Sequence, residues 1–242
     1  MKSQHVEVEG LTAHYVVAGR GPALVLLHGG ANDWREWEEN IGALSQKLEV
    51  YALDLPGFGL TPKPEARYTL NFLANFVHGF MQAVGLSYAS LGGHSLGAGV
   101  ALKFALRFPD RVERLILVDA WGFGRVTLLG WLIVTSCNLF RRVFQPGRFY
   151  PFLEKEPGQG NHWLSPEELR KLEVPALIVW GERDLYLPVA QAHRAHQLLP
   201  NSELFIFQGC GHAPQRERRE EFNQVVLKFL LSGRDEASSR CS

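Results

Sequence analysis

Three polar residues of the chain have the chemical types that an acyl-transfer reaction needs: Ser95, Asp184 and His212. A serine hydroxyl is a weak nucleophile at neutral pH, so it needs a base to remove its proton, and that base needs a third group to fix its tautomer. The order serine, aspartate, histidine is the one expected when the serine lies at a nucleophile elbow. The sequence therefore predicts Ser95 as the nucleophile, His212 as the base and Asp184 as the orienting acid.

The segment around Ser95 matches the G-x-S-x-G pattern of such an elbow, with an apolar run before it and a helical pattern after it. A serine at the tip of a sharp strand-to-helix turn has a strained backbone, and the residues two before and two after it approach each other closely. Side chains at those two positions would clash, which explains Gly93 and Gly97. We therefore expect a strand that ends at the serine and a helix that begins there.

Other polar residues compete for the supporting roles. His94 and His28 lie beside the serine and in a glycine-rich loop, and we expect both to support loop geometry. Asp119 also follows an apolar run, and Glu182 lies near Asp184. An aspartate after a strand commonly caps the following helix, so both alternatives to Asp184 stay open at this point.

The tetrahedral intermediate of acyl transfer needs two N–H donors aimed at its oxyanion. One donor is expected to be the backbone N–H of Leu96, directly after the nucleophile. The other is expected from the His28–Ala31 loop, at Gly30, because glycines allow the backbone to approach a substrate closely.

The elements that must position these residues alternate between apolar runs typical of buried strands and amphipathic helical patterns. Such alternation predicts an α/β fold with a parallel sheet and helices on both faces, and the reactive groups then gather at the carboxyl ends of the strands. The predicted elements are a hairpin over 5–9 and 12–17, strands over 23–27, 50–53, 112–118, 176–180 and 204–207, and helices over 34–48, 69–84, 188–199 and 214–231.

Taken together, the segments LVLLHGG, YALDLPGFGLT, GGHSLGAGVAL, RLILVDA, PALIVWGERD and GCGHAP resemble, in this order, the α/β-hydrolase superfamily. The resemblance covers nearly the whole chain. It implies an α/β-hydrolase fold, with a mostly parallel central sheet, helices on both faces and a short helical cap insertion. It also implies a core domain over 1–120 and 162–231 and a reduced apolar cap over 121–161. The tail over 232–242 is polar, and we expect it to be disordered.

The expected cap is shorter than in capped relatives and is rich in large apolar side chains, with four arginines between them. Trp121, Phe123, Leu128 and Leu132 are the candidates for contact with an apolar substrate, although a cap that simply packs on the core would have the same composition. An apolar cap could also contact an interface or join two subunits in a homodimer.

Composition excludes several classes of function. The 242 residues include 25 basic and 25 acidic side chains, so nothing favours a nucleic-acid partner. Three cysteines, Cys137, Cys210 and Cys241, show neither metal-ligand spacing nor a disulfide framework. The amino terminus lacks the apolar core of a signal peptide, and the apolar run 126–134 is too short to span a membrane. We expect a cytoplasmic protein that needs no cofactor and no metal.

The favoured hypothesis is a serine carboxylesterase that acts on small-molecule esters with apolar acyl or alcohol groups. A second hypothesis is a C–C bond hydrolase of ring-cleavage products, or a perhydrolase or lyase on the same residues. These reactions need an extra polar group for a carboxylate or ketone, and Arg125 is the candidate unless it faces solvent. A non-enzymatic ligand receptor or scaffold is the third hypothesis.

Overall fold

A computed structural model of the protein describes residues 1–132, 135, 136, 139, 153–155 and 163–232. These residues form one eight-stranded sheet with the strand order β1-β2-β4-β3-β5-β6-β7-β8. The strands are β1 (Lys2–Val8), β2 (Leu11–Ala18), β3 (Ala23–Leu27), β4 (Glu49–Leu53), β5 (Ala89–His94), β6 (Val112–Val118), β7 (Ala176–Gly181) and β8 (Ser202–Phe207). β1 and β2 pair antiparallel, β2 pairs antiparallel with β4, and all other pairs are parallel. The predicted mostly parallel sheet is confirmed.

Helices cover both faces of the sheet. They are α1 (Glu38–Leu44), α2 (Leu70–Ala83), α3 (Leu96–Arg107), α4 (Pro166–Leu169), α5 (Ala190–Leu198), α6 (Pro214–Glu217) and α7 (Arg219–Leu231), with 3₁₀ turns at Trp34–Trp37 and Pro109–Arg111. Residues 128–132 are also helical. Apolar side chains of α2, α3 and α5 form the core on one face, and those of α1 and α7 form the core on the other.

Strand β3 shows why the sequences of the buried strands are continuously apolar. Val25 and Leu27 pack into the core shared with α2 and α3, whereas Leu24 and Leu26 pack into the core shared with α1 and α7. Successive side chains of a strand point to opposite faces, so a strand covered on both faces must be apolar throughout. Its carboxyl end lies next to that of β5, which leads into Ser95.

Two predicted helices differ from the structure. The helix predicted over 34–48 begins as a 3₁₀ turn and ends as α1 at Leu44, although its predicted apolar face is buried. The helix predicted over 214–231 is broken at Arg218, where φ is −129° and ψ is 46°. Next to this break, the exposed Glu217 of the short α6 accepts hydrogen bonds from the N–H of Gly211.

Most of the predicted cap lies outside the described residues, as do Cys137, Cys241 and the tail beyond Ser232. The division into core, cap and tail therefore stays a prediction. Cys210 is a free, buried cysteine. Within the ranges given above, no helix has both the length and the apolar character that crossing a membrane requires.

Candidate active site

Ser95 lies between the end of β5 and the start of α3, with φ of 49° and ψ of −112°. A positive φ is uncommon for a residue with a side chain, and strain of this kind is typical of functional turns. The turn is held by main-chain hydrogen bonds, because the Ser95 N–H donates to Val118 and the Ser95 carbonyl accepts from Gly99 and Trp121. The sharp strand-to-helix turn that the sequence predicts is therefore present at this serine.

The two glycines of the motif are required by close backbone contacts. A Cβ atom on Gly93 would lie 2.3 Å from the carbonyl carbon of Gly97, and one on Gly97 would lie 2.3 Å from the carbonyl oxygen of Leu27. Real Cβ atoms do not approach backbone atoms this closely. The glycines therefore let α3 start directly against the ends of β3 and β5.

His212 and Asp184 form a short hydrogen bond, with 2.6 Å between His212 Nδ1 and Asp184 Oδ2. The Asp184 carboxylate is buried, and its other oxygen accepts from the N–H groups of Tyr186 and Leu187 at 2.7 and 2.9 Å. A carboxylate fixed in this way orients the imidazole and keeps the proton on Nδ1, which leaves Nε2 free to act as a base.

The main chain of His212 is bonded to the elbow through the residue before Ser95. His94, the residue before Ser95, donates from Nε2 to the His212 carbonyl oxygen at 2.6 Å, and the two imidazole rings are 4.8 Å apart. Among the described residues no hydrogen bond joins the Ser95 hydroxyl to His212. Such bonds are often long or poorly aligned until a substrate is bound.

The alternatives to Asp184 occupy different environments. Asp119 is fully buried, with a φ of 40°, and its Oδ1 accepts the Gly181 N–H at 2.9 Å. Its second oxygen has no partner among the described residues. Burial and the neighbouring Asp184 carboxylate raise the pKa of Asp119 well above the usual value, although His94 opposes this. Glu182 is exposed and accepts the Gly209 N–H.

The two residues predicted to supply the oxyanion donors, Gly30 and Leu96, lie close together. A Cβ atom on Gly30 would lie 4.0 Å from the Leu96 side chain. Leu96 is the first residue of α3, where an N–H has no acceptor within the helix and the helix dipole favours negative charge. The loop that carries Gly30 also contains Ala31, whose φ of 66° marks a tight turn.

The predicted substrate contacts fall into two groups. Phe123 is buried, and Trp121, which donates its N–H to Ser95, has its ring centroid 4.4 Å from that of Trp163. Leu128 and Leu132 are 75% and 47% exposed, so in this structure they present much of their surface to solvent. The contact of these four residues with a substrate stays a prediction.

Tyr186 is a neighbour of the candidate base that sequence reasoning did not find. Its ring meets that of His212 edge to face, with 5.1 Å between centroids. A Cβ atom on Gly130 would lie 2.6 Å from the Tyr186 ring, so the helical segment 128–132 packs directly on this side chain. Tyr186 therefore lies between the helical segment 128–132 and the imidazole of His212.

Sequence reasoning also missed Glu36, a buried carboxylate that accepts from Asn32 Nδ2 at 2.9 Å and from His94 Nδ1 at 2.7 Å. Burial alone would lower the pKa of His94, but the Glu36 carboxylate raises it to about 9. His28 likewise contacts the main chain, because its Nε2 accepts the Leu55 N–H. As expected, both histidines support loop geometry.

The electrostatic environment favours the neutral imidazole form of His212. Burial of the ring lowers its pKa, the hydrogen bond to Asp184 opposes this, and the positive charge of His94 lowers it further. A base that is neutral at physiological pH can accept the serine proton.

His94, Asp119 and His212 have atoms of metal-ligand type within 4.8 Å of one another. Both nitrogens of His94 already face acceptors, and Nδ1 of His212 faces Asp184. His94 consequently has no lone pair to offer an ion, and the residues do not fit a metal centre.

Comparison with known proteins agrees with this architecture. A family model described as alpha/beta hydrolase fold matches residues 22–156, and one described as TAP-like protein matches residues 156–241. The chain belongs to the alpha/beta hydrolase fold family, and the sheet, the elbow and the strand-end residues have the arrangement expected of it.

Particular relatives have two kinds of activity in their names. The chain is similar to the 2-hydroxy-6-oxo-2,4-heptadienoate hydrolase of Pseudomonas putida, with 28% identity over 92% of this chain and 94% of that protein. It is similar to the carboxylesterase CesB of Bacillus subtilis, with 25% identity, a TM-score of 0.85 and coverage of 96% and 92%. The meta-cleavage product hydrolase CumD of Pseudomonas fluorescens gives 26% identity, a TM-score of 0.80 and coverage of 94% and 97%.

Proposed function

We propose that the protein is a serine hydrolase that cleaves carboxylic esters with apolar acyl or alcohol groups. The observation that carries this proposal is the buried Asp184 carboxylate bonded to His212, on a loop tied to the residue before Ser95. The similarity to carboxylesterase CesB supports the ester as the substrate class. Trp121, bonded to the elbow main chain, and Tyr186, packed on the His212 ring, support apolar substrates.

In the proposed reaction, Ser95 Oγ attacks the ester carbonyl while His212 Nε2 takes the serine proton. The oxyanion accepts hydrogen bonds from the N–H groups of Gly30 and Leu96. His212 then gives the proton to the leaving alcohol, which departs and leaves the acyl group on Ser95. Water, deprotonated by His212, attacks this acyl group; the bond to Ser95 Oγ breaks, Oγ takes the proton back from His212, and the carboxylic acid is released.

Replacement of the nucleophile tests this proposal. Ser95→Ala should lower kcat on p-nitrophenyl esters by about 10⁴-fold or more and abolish covalent labelling by a fluorophosphonate. Ser87→Ala, which changes an exposed serine just before β5, is the matched control and should keep both properties. The proposal is wrong if Ser95→Ala hydrolyses esters as the parent does, or if the parent itself is neither labelled nor active.

C–C bond cleavage of a ring-fission product is the second candidate, and the similarity to the Pseudomonas putida hydrolase favours it. Arg125, the group considered for binding a substrate carboxylate, is exposed, and this observation favours the ester. A ring-fission dienoate assayed beside p-nitrophenyl esters of increasing chain length separates the two. A kcat/KM for the dienoate well above that of every ester would favour the second candidate.

A further inference from the structure

Glu36 joins two parts of the molecule that are distant in sequence, the loop after β3 and the residue before Ser95. Its carboxylate accepts hydrogen bonds from the Gly29 N–H at 2.5 Å, from Asn32 Nδ2 at 2.9 Å and from His94 Nδ1 at 2.7 Å. The side chain is only 1% exposed. One buried carboxylate therefore holds both the loop that carries Gly30 and the residue that precedes Ser95.

His94 extends this connection to the loop of the proposed base. Its Nδ1 faces the Glu36 carboxylate and its Nε2 faces the His212 carbonyl oxygen at 2.6 Å. Both partners are acceptors, so both ring nitrogens must carry hydrogen and the ring is an imidazolium. Gly29 packs against it, because a Cβ atom there would lie 2.8 Å from His94 Nδ1.

We propose that the buried Glu36–His94 ion pair is a positioning device that fixes the Gly29–Gly30 loop, the Ser95 elbow and the His212 loop in one arrangement and sets a positive charge beside His212. This inference rests on the proposed hydrolase function. Neither residue touches the reacting atoms. Each acts through a neighbour: Glu36 through the Gly29 main chain, and His94 through the His212 main chain and the field of its charge.

Titratable groups face His94 from several elements of the fold. Glu36 faces it from the 3₁₀ turn before α1, Asp119 from the end of β6, and His212 from the loop after β8, while His28 acts on Glu36 from the loop after β3. Burial and the Asp184 carboxylate raise the pKa of the Asp119 carboxyl, whereas the imidazolium of His94 opposes this. The positive charge therefore favours the uncharged form of His212 and, in the transition state, the oxyanion on the same side of the site.

Glu36→Gln tests the charge with little change of shape. A glutamine can still accept the Gly29 N–H through its oxygen, but its amide would then donate to His94 Nδ1, and His94 must become neutral. The neutral ring still donates from Nε2 to the His212 carbonyl. Loss of the nearby positive charge raises the pKa of His212, because the effect of His94 on this ring is larger than that of Glu36.

We expect Glu36→Gln to move the acid limb of the kcat/KM profile to higher pH and to lower kcat by about tenfold to a hundredfold, with a smaller change in KM. Glu39→Gln, which removes an exposed carboxylate from α1, is the matched control and should leave both quantities unchanged. Only a change in the pH midpoint distinguishes electrostatic positioning from a general loss of folded protein.

Nuclear magnetic resonance of the parent, with labelled histidine nitrogens, gives a test that does not depend on a folded variant. Both nitrogens of His94 should remain protonated at pH 7.5. The inference is overturned if His94 is neutral there, or if Glu36→Gln keeps the parent pH midpoint and kcat. A parent that hydrolyses no ester and reacts with no fluorophosphonate would overturn the proposed function instead, and the NMR result would still decide the charge of His94.

Discussion

His212 Nδ1 lies 2.6 Å from Asp184 Oδ2, whereas Asp119, equally buried at the end of the neighbouring strand β6, bonds through Oδ1 to the Gly181 N–H. The two carboxyls follow adjacent strands, yet only one of them contacts the proposed base through a hydrogen bond. Both carboxyls are close to the candidate site, so proximity does not identify the orienting acid. The hydrogen bond to His212 Nδ1 identifies Asp184 as the candidate.

The first prediction separates these two carboxyls. Asp184→Asn should lower kcat by about 10⁴-fold, because an amide donates where a carboxylate accepts and favours the wrong imidazole tautomer. Asp119→Asn should keep most of the activity, since its amide oxygen can still accept the Gly181 N–H and Asp119 makes no hydrogen bond to His212. Steady-state kinetics on one p-nitrophenyl ester measures both variants. Equal losses would show that Asp184 is not the orienting acid.

The second prediction concerns the backbone contact beneath the elbow. Gly97→Ala sets a Cβ atom 2.3 Å from the Leu27 carbonyl oxygen, and both atoms belong to rigid core elements. Overpacking typically costs about 1–3 kcal/mol, and the free energy of unfolding of this variant should fall by at least the upper value of that range. Denaturant titration followed by circular dichroism measures the change.

Gly42→Ala is the control for this substitution. Gly42 lies within α1, is exposed, and a Cβ atom there would meet nothing within 4 Å. Alanine is the better helix former, so this variant should be stabilised by about 0.5–1 kcal/mol. A Gly97→Ala protein as stable as the parent would contradict the contact.

The third prediction is the pH dependence of the proposed reaction. His212 must be neutral to accept the serine proton, and its pKa is lowered by burial and by the charge of His94. The value of kcat/KM should therefore rise with pH through a midpoint below about 6.5, the ordinary value for histidine. The profile for a simple butyrate ester measures this midpoint directly. A midpoint clearly above 6.5 would show that the environment of His212 is not as described.

The residues found from the sequence and those missed differ in how local their signals are. Ser95, Asp184 and His212 each follow an apolar run, and parallel strands bring their carboxyl ends to one edge of the sheet. Gly93 and Gly97 indicate a close approach between residues four positions apart, where side chains would clash. These signals lie within a few residues of the groups they identify, so the sequence alone contained them.

Glu36 shows what a single sequence does not contain. It stands among Trp34-Arg35-Glu36-Trp37-Glu38-Glu39, where a carboxylate normally faces solvent on the polar side of a helix. Its burial depends on His94, 58 positions along the chain, and on a 3₁₀ turn in place of the expected helix. For Glu36, a tertiary hydrogen bond therefore overrides the local pattern.

The fourth prediction is that the Glu36–His94 pair makes stability depend on pH in the alkaline range. The folded pKa of His94 is about 9, above the ordinary value of the unfolded chain. A group whose pKa is raised on folding contributes stability below its unfolded pKa and loses it as pH rises through the folded pKa. The free energy of unfolding should thus decline between about pH 6.5 and pH 9, by at most roughly 3 kcal/mol from this group.

Denaturant titrations of the parent and of a double variant, His94→Asn with Glu36→Gln, isolate this contribution. Removal of both partners avoids leaving a buried carboxylate that would titrate by itself. The parent should lose stability relative to the double variant as pH rises from 6.5 to 9, while His193→Asn, at an exposed histidine of α5, should follow the parent. Parallel curves for the parent and the double variant would mean that His94 carries no charge in the folded protein, and the explanation of the His212 pKa would fail with it.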